Sequence, residues 1–528
     1  MGRGYSNSRS RSARPTLGMK RNRSMSLQKQ LTTAVKTSGV TRDGKAFESA
    51  KPTARSSVRK SVDKSPAADS RSKTLSRGRS ASTIRQRVAD MERELSDQLE
   101  GEEKKNETIN NPDVMTKYKF AGRAVDEVMG LVAAACVPGA DCSKLCQLGD
   151  TELLQRIGEV FKKRDENKNL RPRGLSYPTN ISVNQILCNY APLDDSPSTI
   201  LRGGDVVKIH MGCHLDGYPV CAARTIIVPF DFSVSSKGDI EGDTAVTSSR
   251  DFAAKRGATP HSAPGTTFRS LTQGGSNAIE AARVALHGII HLMQPGSVNR
   301  DITDFIHRVG NYYGVQALEG VLSNRTKRWV PDGMDCIITR RVVAEAPHQD
   351  VADCTVDSNQ VWTLDVAFTD HESYKVRADD DAPTTLFRRT EVDVSTDFRL
   401  TSVNSTLKEI TEKHHCFPFN LRYMSSVPKA RLALSVLRNN SIVDPLPVLR
   451  IKGERHITAR FSATVAVSRK RITVLCGMPP QEPLVVPDNR QPAPIPDDIA
   501  LVLSKPLEFG QDDQPARKKA KTEAVQRK

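Results

Sequence analysis

The chain has 528 residues, enough for two or more domains or one large domain with long tails, and its 37% hydrophobic content leaves a sizeable part outside any core. No apolar run reaches the roughly 20 residues of a membrane span, and the N-terminus lacks the apolar stretch of a secretory signal. The ten cysteines are scattered without a CxxC pair, which speaks against a disulfide framework and a zinc finger and fits a reducing compartment. Cys142 and Cys146, one helical turn apart, read as buried thiols. The net charge of +17 is unevenly placed: residues 1–90 hold 22 basic and 5 acidic side chains, residues 515–528 hold 6 and 1, and residues 91–514 hold 50 and 55. A mildly acidic body therefore carries two basic tails, and a polyanion meets the tails first.

Residues 1–83 show no periodic apolar pattern and are rich in Arg-Ser pairs such as Arg9-Ser10, Arg23-Ser24 and Arg79-Ser80. Such a segment cannot bury enough apolar area to offset its ordering entropy, so a disordered basic tail is expected. Ile84, Val88, Met91, Leu95 and Leu99 recur at helical spacing, predicting an amphipathic helix or linker over 84–107 that docks on the body. The body spans 108–480. Ala121, Val125, Val128, Met129, Val132 and Cys136 form one helix face that ends before Pro138-Gly139. Val206–Gly212 and Val220–Val228 read as two strands joined at Asp216-Gly217, a hairpin pair that sets Cys221 opposite Gly212. Residues 233–275 read as a long flexible insertion. Helices are predicted at Ala278–Met293 and Asp301–Tyr313, and strands at Cys336–Ala344, Val361–Phe368 and His456–Val467. A helix pair followed by strands thus occurs twice, which suggests a duplicated α/β body. Residues 395–445 carry further helical pattern. Residues 485–510 read as a Pro- and Asp-rich linker within a disordered C-terminal tail, 481–528, which includes the basic cluster Arg517, Lys518, Lys519 and Lys521.

Seven motifs occur in order: TKYKFAG (116–122), YPTNISVN (177–184), GGDVVKIHMGCHLDGY (203–218), LEGVLSN (318–324), LDVAF (364–368), PFNLR (418–422) and ITARFSATV (457–465). Together they resemble the proliferation-associated, ErbB-binding protein family, non-catalytic relatives of type II methionine aminopeptidases. The resemblance implies an α/β pita-bread fold with a helical subdomain inserted near 395–455. It also implies RNA binding, residence in nucleus, nucleolus and cytoplasm, and association with large ribosomal subunits near the nascent-chain exit. A related branch of this class escorts the maturing large subunit out of the nucleus.

Active members of the fold hold two metal ions between two Asp, one His and two Glu, with a further His assisting. By motif, the Asp positions fall on His210 and Cys221, the His on Asn324, the Glu positions on Asp365 and Ser462, and the assisting His on Asn189. Two adjacent cations need several anionic oxygens to offset their repulsion and activate a bridging water. Asp365 alone remains a carboxylate, so a pseudoenzyme without catalytic metal or cofactor is expected. One structural zinc on His210, Cys221 and Asp365 is the competing reading, since the first two stand diagonally on one sheet face; the adopted reading is a site refilled by small polar and packing residues.

The expected function is an RNA-binding factor of large-subunit biogenesis or translation. Its partners would be ribosomal RNA, the large subunit or its precursors, and a nuclear import receptor reading the C-terminal cluster; no stable membrane insertion is expected, and the chain is read as a monomer. RNA contacts are assigned to the tails and to Arg422, Lys429 and Arg431 of the inserted subdomain. The competing functions are a nuclear DNA-binding or signalling adaptor and a metal-dependent aminopeptidase. A mitochondrial location is the alternative suggested by an acid-free, Arg- and Ser-rich start.

Overall fold

The computed structural model describes residues 107–162, 164, 170–229, 271–341, 351–390, 398–484 and 493–508. The expected tail 1–83, the Ile84–Leu99 stripe, residues 233–270 of the expected insertion and the 517–521 cluster lie outside the described residues.

Helices α1 (Pro112–Ala135) and α2 (Cys142–Glu159) lead into strands β1 (Arg173–Val183), β2 (Ile186–Cys188), β3 (Val206–Leu215) and β4 (Tyr218–Ile227). A second pair, α3 (Gln273–Leu292) and α4 (Asn299–Tyr313), precedes β5 (Gln316–Ala317), β6 (Leu322–Thr326), β7 (Cys336–Ile338) and β8 (Gln360–Thr369). Next come β9 (Arg377–Ala378), β10 (Leu386–Arg389), α5 (Thr401–Lys413), β11 (Phe419–Asn420) and α6 (Val427–Asn439). The chain then forms β12 (Val443–Leu446), β13 (Leu449–Arg450), β14 (Thr458–Val467), β15 (Ile472–Cys476) and α7 (Asp497–Leu503).

Among the described residues the central sheet has nine strands with the path β1-β3-β4-β14-β8-β6-β7, while β15 pairs with β14 and β5 with β8. The two halves meet where β14 pairs with β4. Each half carries its own helix pair on the same kind of apolar stripe. In β3, Val207, Ile209, Met211, Cys213 and Leu215 join the core of α1 and α2. In β8 and β14, Trp362, Leu364, Val366 and Phe368 with Ala459, Phe461, Ala463 and Val465 join the core of α3 and α4. Burial of each such Val, Leu or Phe contributes about 1.5–3 kcal/mol. Because side chains alternate across a strand, the intervening residues share the opposite face. That face is polar.

Local chemistry explains the ends of these elements. Asn111 caps α1, its side chain accepting from the Asp113 N–H at 3.0 Å, and Pro112 follows at the first turn, where its missing N–H costs nothing. The β3–β4 turn places Asp216 at φ 55° and Gly217 at φ 81°, the left-handed pair that matches a two-residue hairpin to strand twist. The ladder keeps its register past Pro219, with Gly212 opposite Cys221. The buried Asp216 carboxylate accepts from Lys117 at 2.7 Å, Arg171 at 2.9 Å and Arg328 at 2.6 Å, tying the turn to α1 and to the β6–β7 loop. These contacts hold its pKa below the usual value although burial acts the other way.

Three expectations change. Helix α3 begins at Gln273, inside the range expected for the insertion, because Thr272 supplies a cap to the Gly275 N–H at 3.0 Å. Strand β7 stops at Ile338 instead of Ala344. The expected C-terminal linker contains α7, whose Ile499 and Val502 are buried in the core of α3 and α4. Two apolar residues three apart are too short a stripe to stand out from sequence, and tertiary burial supplies the stability a seven-residue helix lacks alone. In the inserted region, α5 and α6 pack around a separate apolar cluster that includes Val403, Ile410, Leu434 and Leu437.

Helix α1 approaches β15 closely. A Cβ on Gly122 would lie 2.0 Å from the Leu475 carbonyl oxygen and 2.7 Å from its carbon, both backbone atoms. Gly122→Ala will therefore force helix and sheet apart and lower stability by about 1–3 kcal/mol, read as a shift in urea midpoint; an unchanged midpoint would show that the contact is soft.

Candidate functional site

The polar face of the sheet gathers the positions expected for a metal centre into one row. Asn180 on β1 pairs with His210 on β3, and His210 pairs with Ala223 on β4. Ala223 pairs with Ser462 on β14, and Ser462 with Asp365 on β8. Directly opposed residues share a face, so His210, Ser462 and Asp365 all stand on the side away from the helices. Cys221 lies two residues from Ala223 on that face, and Asn324 on β6 pairs with Thr363, two residues from Asp365. The sequence spacing thus placed these residues on one surface, and strand register is the reason.

Their contacts differ from those of a metal centre. Asp365 is engaged by Arg460, which lies two residues before Ser462 on β14 and so projects from the same face. The Arg460 Nε donates to both carboxylate oxygens, at 2.9 and 3.2 Å, and Nη2 donates to Oδ2 at 2.5 Å. Both side chains are nearly enclosed, 12% and 10% exposed. Burial pushes the Asp365 carboxyl up and Arg460 pulls it back. Burial also works against the Arg460 charge, but Asp365 outweighs it and raises the guanidinium pKa, so Arg460 keeps its charge beside the carboxyl.

His210 is held by the opposite logic. Burial first, and the Arg460 charge second, push its pKa well below the ordinary value, so the ring is neutral. Its Nδ1 faces the Asn180 amide nitrogen at 3.4 Å and its ring lies 4.2 Å from that of Tyr177, centroid to centroid. Cys221 Sγ sits 3.3 Å from Ser176 Oγ, and burial raises the thiol pKa to about 11, which disfavours the thiolate a metal needs. Ser462 Oγ is buried without a hydrogen-bond partner. At the assisting position, Asn189 accepts from the Tyr177 hydroxyl at 2.7 Å and donates to the Pro447 carbonyl at 2.9 Å, so both ends of its amide are committed to the fold. Among the described residues, no three His, Cys, Asp or Glu side chains come together as a metal-holding group. The sheet therefore brings His210, Cys221 and Asp365 to one face without gathering them into a zinc site, and the donor set does not fit a metal pair.

Sequence reasoning missed Arg460. The available signal was an arginine in the polar register of a strand whose neighbours are otherwise small or apolar; what it touches was not readable. Of the expected RNA contacts, Lys429 and Arg431 are exposed on α6. Arg422 is different: its Nη2 donates to the Pro192 carbonyl at 2.7 Å, and its Nε and Nη1 are buried without partners. Its guanidinium faces the body, a correction to its reading as a surface contact. Beside it, the Tyr423 hydroxyl donates to Asp150 at 2.7 Å, fastening the inserted region to α2.

Residues 116–334 match the model of metallopeptidase family M24. The ErbB-3 binding protein 1 of potato (Solanum tuberosum) is 28% identical over 350 residues, covering 66% of this chain and 78% of its own. The curved DNA-binding protein of Schizosaccharomyces pombe is 26% identical over 416 residues, covering 78% and 96%. The chain is thus similar to ErbB-binding and proliferation-associated proteins and carries an M24 metallopeptidase domain over residues 116–334. Its fold is that of the solved structure of a thermophilic Arx1, with a TM-score of 0.59 and 21% identity, covering 75% of this chain and 99% of that one. The α/β pita-bread architecture expected from the motifs is thus the architecture observed. In this chain the polar face of the sheet carries the Arg460–Asp365 pair.

Proposed function

We propose that this chain is a non-catalytic, aminopeptidase-fold protein that binds ribosomal RNA on the large ribosomal subunit or its precursors. The observation that carries the non-catalytic half is the Arg460–Asp365 ion pair. The one carboxylate left at the five ligand positions is bound to an internal cation, so no anionic oxygen is free to hold a metal or to activate water. Neutral His210 and the raised Cys221 thiol support the same reading.

The ribosomal half rests on the seven-motif resemblance and on charge. Lys429, Arg431 and Arg438 project from α6, which holds no acidic residue, and none of the three forms an ion pair among the described residues. Leu432, 75% exposed, stands among them and supplies an apolar contact on the same surface. Arg517, Lys518, Lys519 and Lys521, with the N-terminal basic residues, add long-range attraction to phosphates without sequence preference. Residence in nucleus, nucleolus and cytoplasm, with the C-terminal cluster read by an import receptor, accords with that role.

One experiment tests both halves. The full chain, loaded with Co²⁺ or Mn²⁺, is expected to leave N-terminal methionine on peptide substrates and to co-sediment with large subunits at low salt. Turnover abolished by Asp365→Ala overturns the first half. Absence from subunit fractions at every salt concentration, or preference for a DNA duplex over ribosomal RNA, overturns the second.

A further inference from the structure

The turn between β14 and β15 presents a second basic surface. Val467 and Ile472 close the ladder, and the four residues between them, Ser468-Arg469-Lys470-Arg471, form a tight turn. The Ser468 N–H donates to the Arg471 carbonyl at 2.9 Å, and the Arg471 N–H donates to Ser468 Oγ at 3.2 Å. The turn is therefore fixed by backbone bonds and the Ser468 hydroxyl, and the side chains of Arg469, Lys470 and Arg471 are not needed to hold it. Arg469, Lys470 and Arg471 are all exposed, and none forms an ion pair among the described residues. Some arginines of this body stand beside an acid, as half-buried Arg156 does beside Glu127 and exposed Arg341 beside Asp304. Three adjacent cations left without one, on a body whose residues 91–514 are net acidic, form a local positive field that the overall charge does not predict.

The turn also borders a cleft of about 740 Å³, lined by Asn110, Asn359, Arg469, Lys470, Arg471 and Glu508. Asn359 is pinned at φ 68°, its N–H donating to the Val467 carbonyl at 2.7 Å, so the cleft wall is rigid at that point. Arg471 forms a backbone bridge to Glu508 on the other side. The cleft thus offers cations and neutral amide donors on a preformed backbone, with a single carboxylate among its lining residues.

Resting on the RNA reading above, we propose that this turn and cleft are a docking site for the phosphodiester backbone of RNA, distinct from the α6 surface. Charge complementarity favours a polyanion: the cations stand on consecutive residues, as a chain of phosphates would meet them, and the two asparagine amides add hydrogen-bond donors for phosphate and sugar oxygens. A lipid surface fits less well, because none of the exposed large apolar residues of the described chain lines the cleft to insert into a membrane. The site positions backbone and carries no base-reading geometry, so its contribution is independent of sequence and sensitive to salt.

The test uses the full chain with Arg469→Glu and Lys470→Glu together, neither side chain forming a hydrogen bond or ion pair among the described residues. Affinity is measured for a short RNA duplex and for purified large ribosomal subunits over a range of KCl concentrations. Each phosphate contact contributes about 0.7–0.9 to the slope of log affinity against log salt, so the slope should flatten by about 1.5 and low-salt affinity should fall at least ~10-fold. The charge-preserving Arg469→Lys and Lys470→Arg variant should bind like wild type, and both variants should keep the wild-type melting temperature. Unchanged affinity and slope in the glutamate variant, with wild type still binding, overturn this site and leave the RNA reading standing. If wild type binds no RNA at any salt, the RNA reading falls and this site with it. Loss of binding to phosphatidylserine vesicles, with RNA binding intact, overturns the site in favour of a membrane.

Discussion

Arg460→Met is expected to destabilise the body by about 3–5 kcal/mol, because it strands the buried Asp365 carboxylate without its cation. The pair is enclosed and two-pronged, so solvent cannot replace the guanidinium at small cost. The double variant Arg460→Met with Asp365→Leu should recover most of the loss, since a packed apolar pair often matches a buried ion pair in stability. The pH dependence gives a further signature. An orphaned carboxyl in the folded state has a raised pKa, so the folded protein binds a proton that the unfolded chain does not, and the cost of Arg460→Met shrinks as pH falls. Urea unfolding of the two variants at pH 8 and pH 5 checks this. A single variant no less stable than the double one would mean that Arg460 only fills space. A catalytic metal would reverse the logic, since the same substitution would then free Asp365 as a ligand and metal would stabilise the variant.

The second large effect concerns acid. His214 is buried, stacks on Phe417 with ring centroids 4.4 Å apart and lies 5.4 Å from Trp329. Its Nδ1 accepts the Gly217 N–H at 3.3 Å, which requires that nitrogen to be unprotonated. Burial, with a smaller effect from His415 and against an opposing one from Asp216, lowers its pKa to about 3. The unfolded histidine protonates near the ordinary 6.5 while the folded one stays neutral, so between these values the unfolded chain binds one more proton. Stability from this residue is complete above about pH 6.5 and is lost as pH falls towards 3, at about 1.4 kcal/mol per pH unit. His414, lowered to about 4 chiefly by burial, acts in the same direction. Asp150, raised by burial to about 6, acts in the opposite direction over part of the window, so the difference between variants is more informative than the total slope. His214→Phe keeps the stacking surface and removes the proton. Its unfolding free energy should fall less steeply with acid than wild type, by about 1.4 kcal/mol per pH unit, at the constant cost of one hydrogen bond. Parallel slopes in the two proteins would show that the imidazole is solvated in the fold.

Much of the fold was legible before any coordinates. The alternation in Val206–Leu215 separates Val207, Ile209 and Met211 from Lys208, His210 and Gly212, and that alternation fixes which side chains meet the helices. Asp216-Gly217 sets the hairpin register, because only residues tolerant of positive φ fit both turn positions. The expectation that His210, Cys221, Asn324 and Ser462 stand where active relatives carry metal ligands comes from the motif resemblance, which is read from sequence. These features depend on spacing within one element or on the chemistry of a single side chain, so sequence by itself determined them.

The partners of long side chains were decided elsewhere. Arg460 and Asp365 are 95 residues apart and meet only because β14 and β8 pair in one register. Arg422 sits in a motif that looked like surface, yet the packing of the inserted region against Pro192 turns it inward. The α7 turn acquires stability only from the α3 and α4 core it covers. In each case the deciding quantity is desolvation, which depends on what lies above a residue in space, and a flexible side chain has no direction until its neighbours exclude the alternatives.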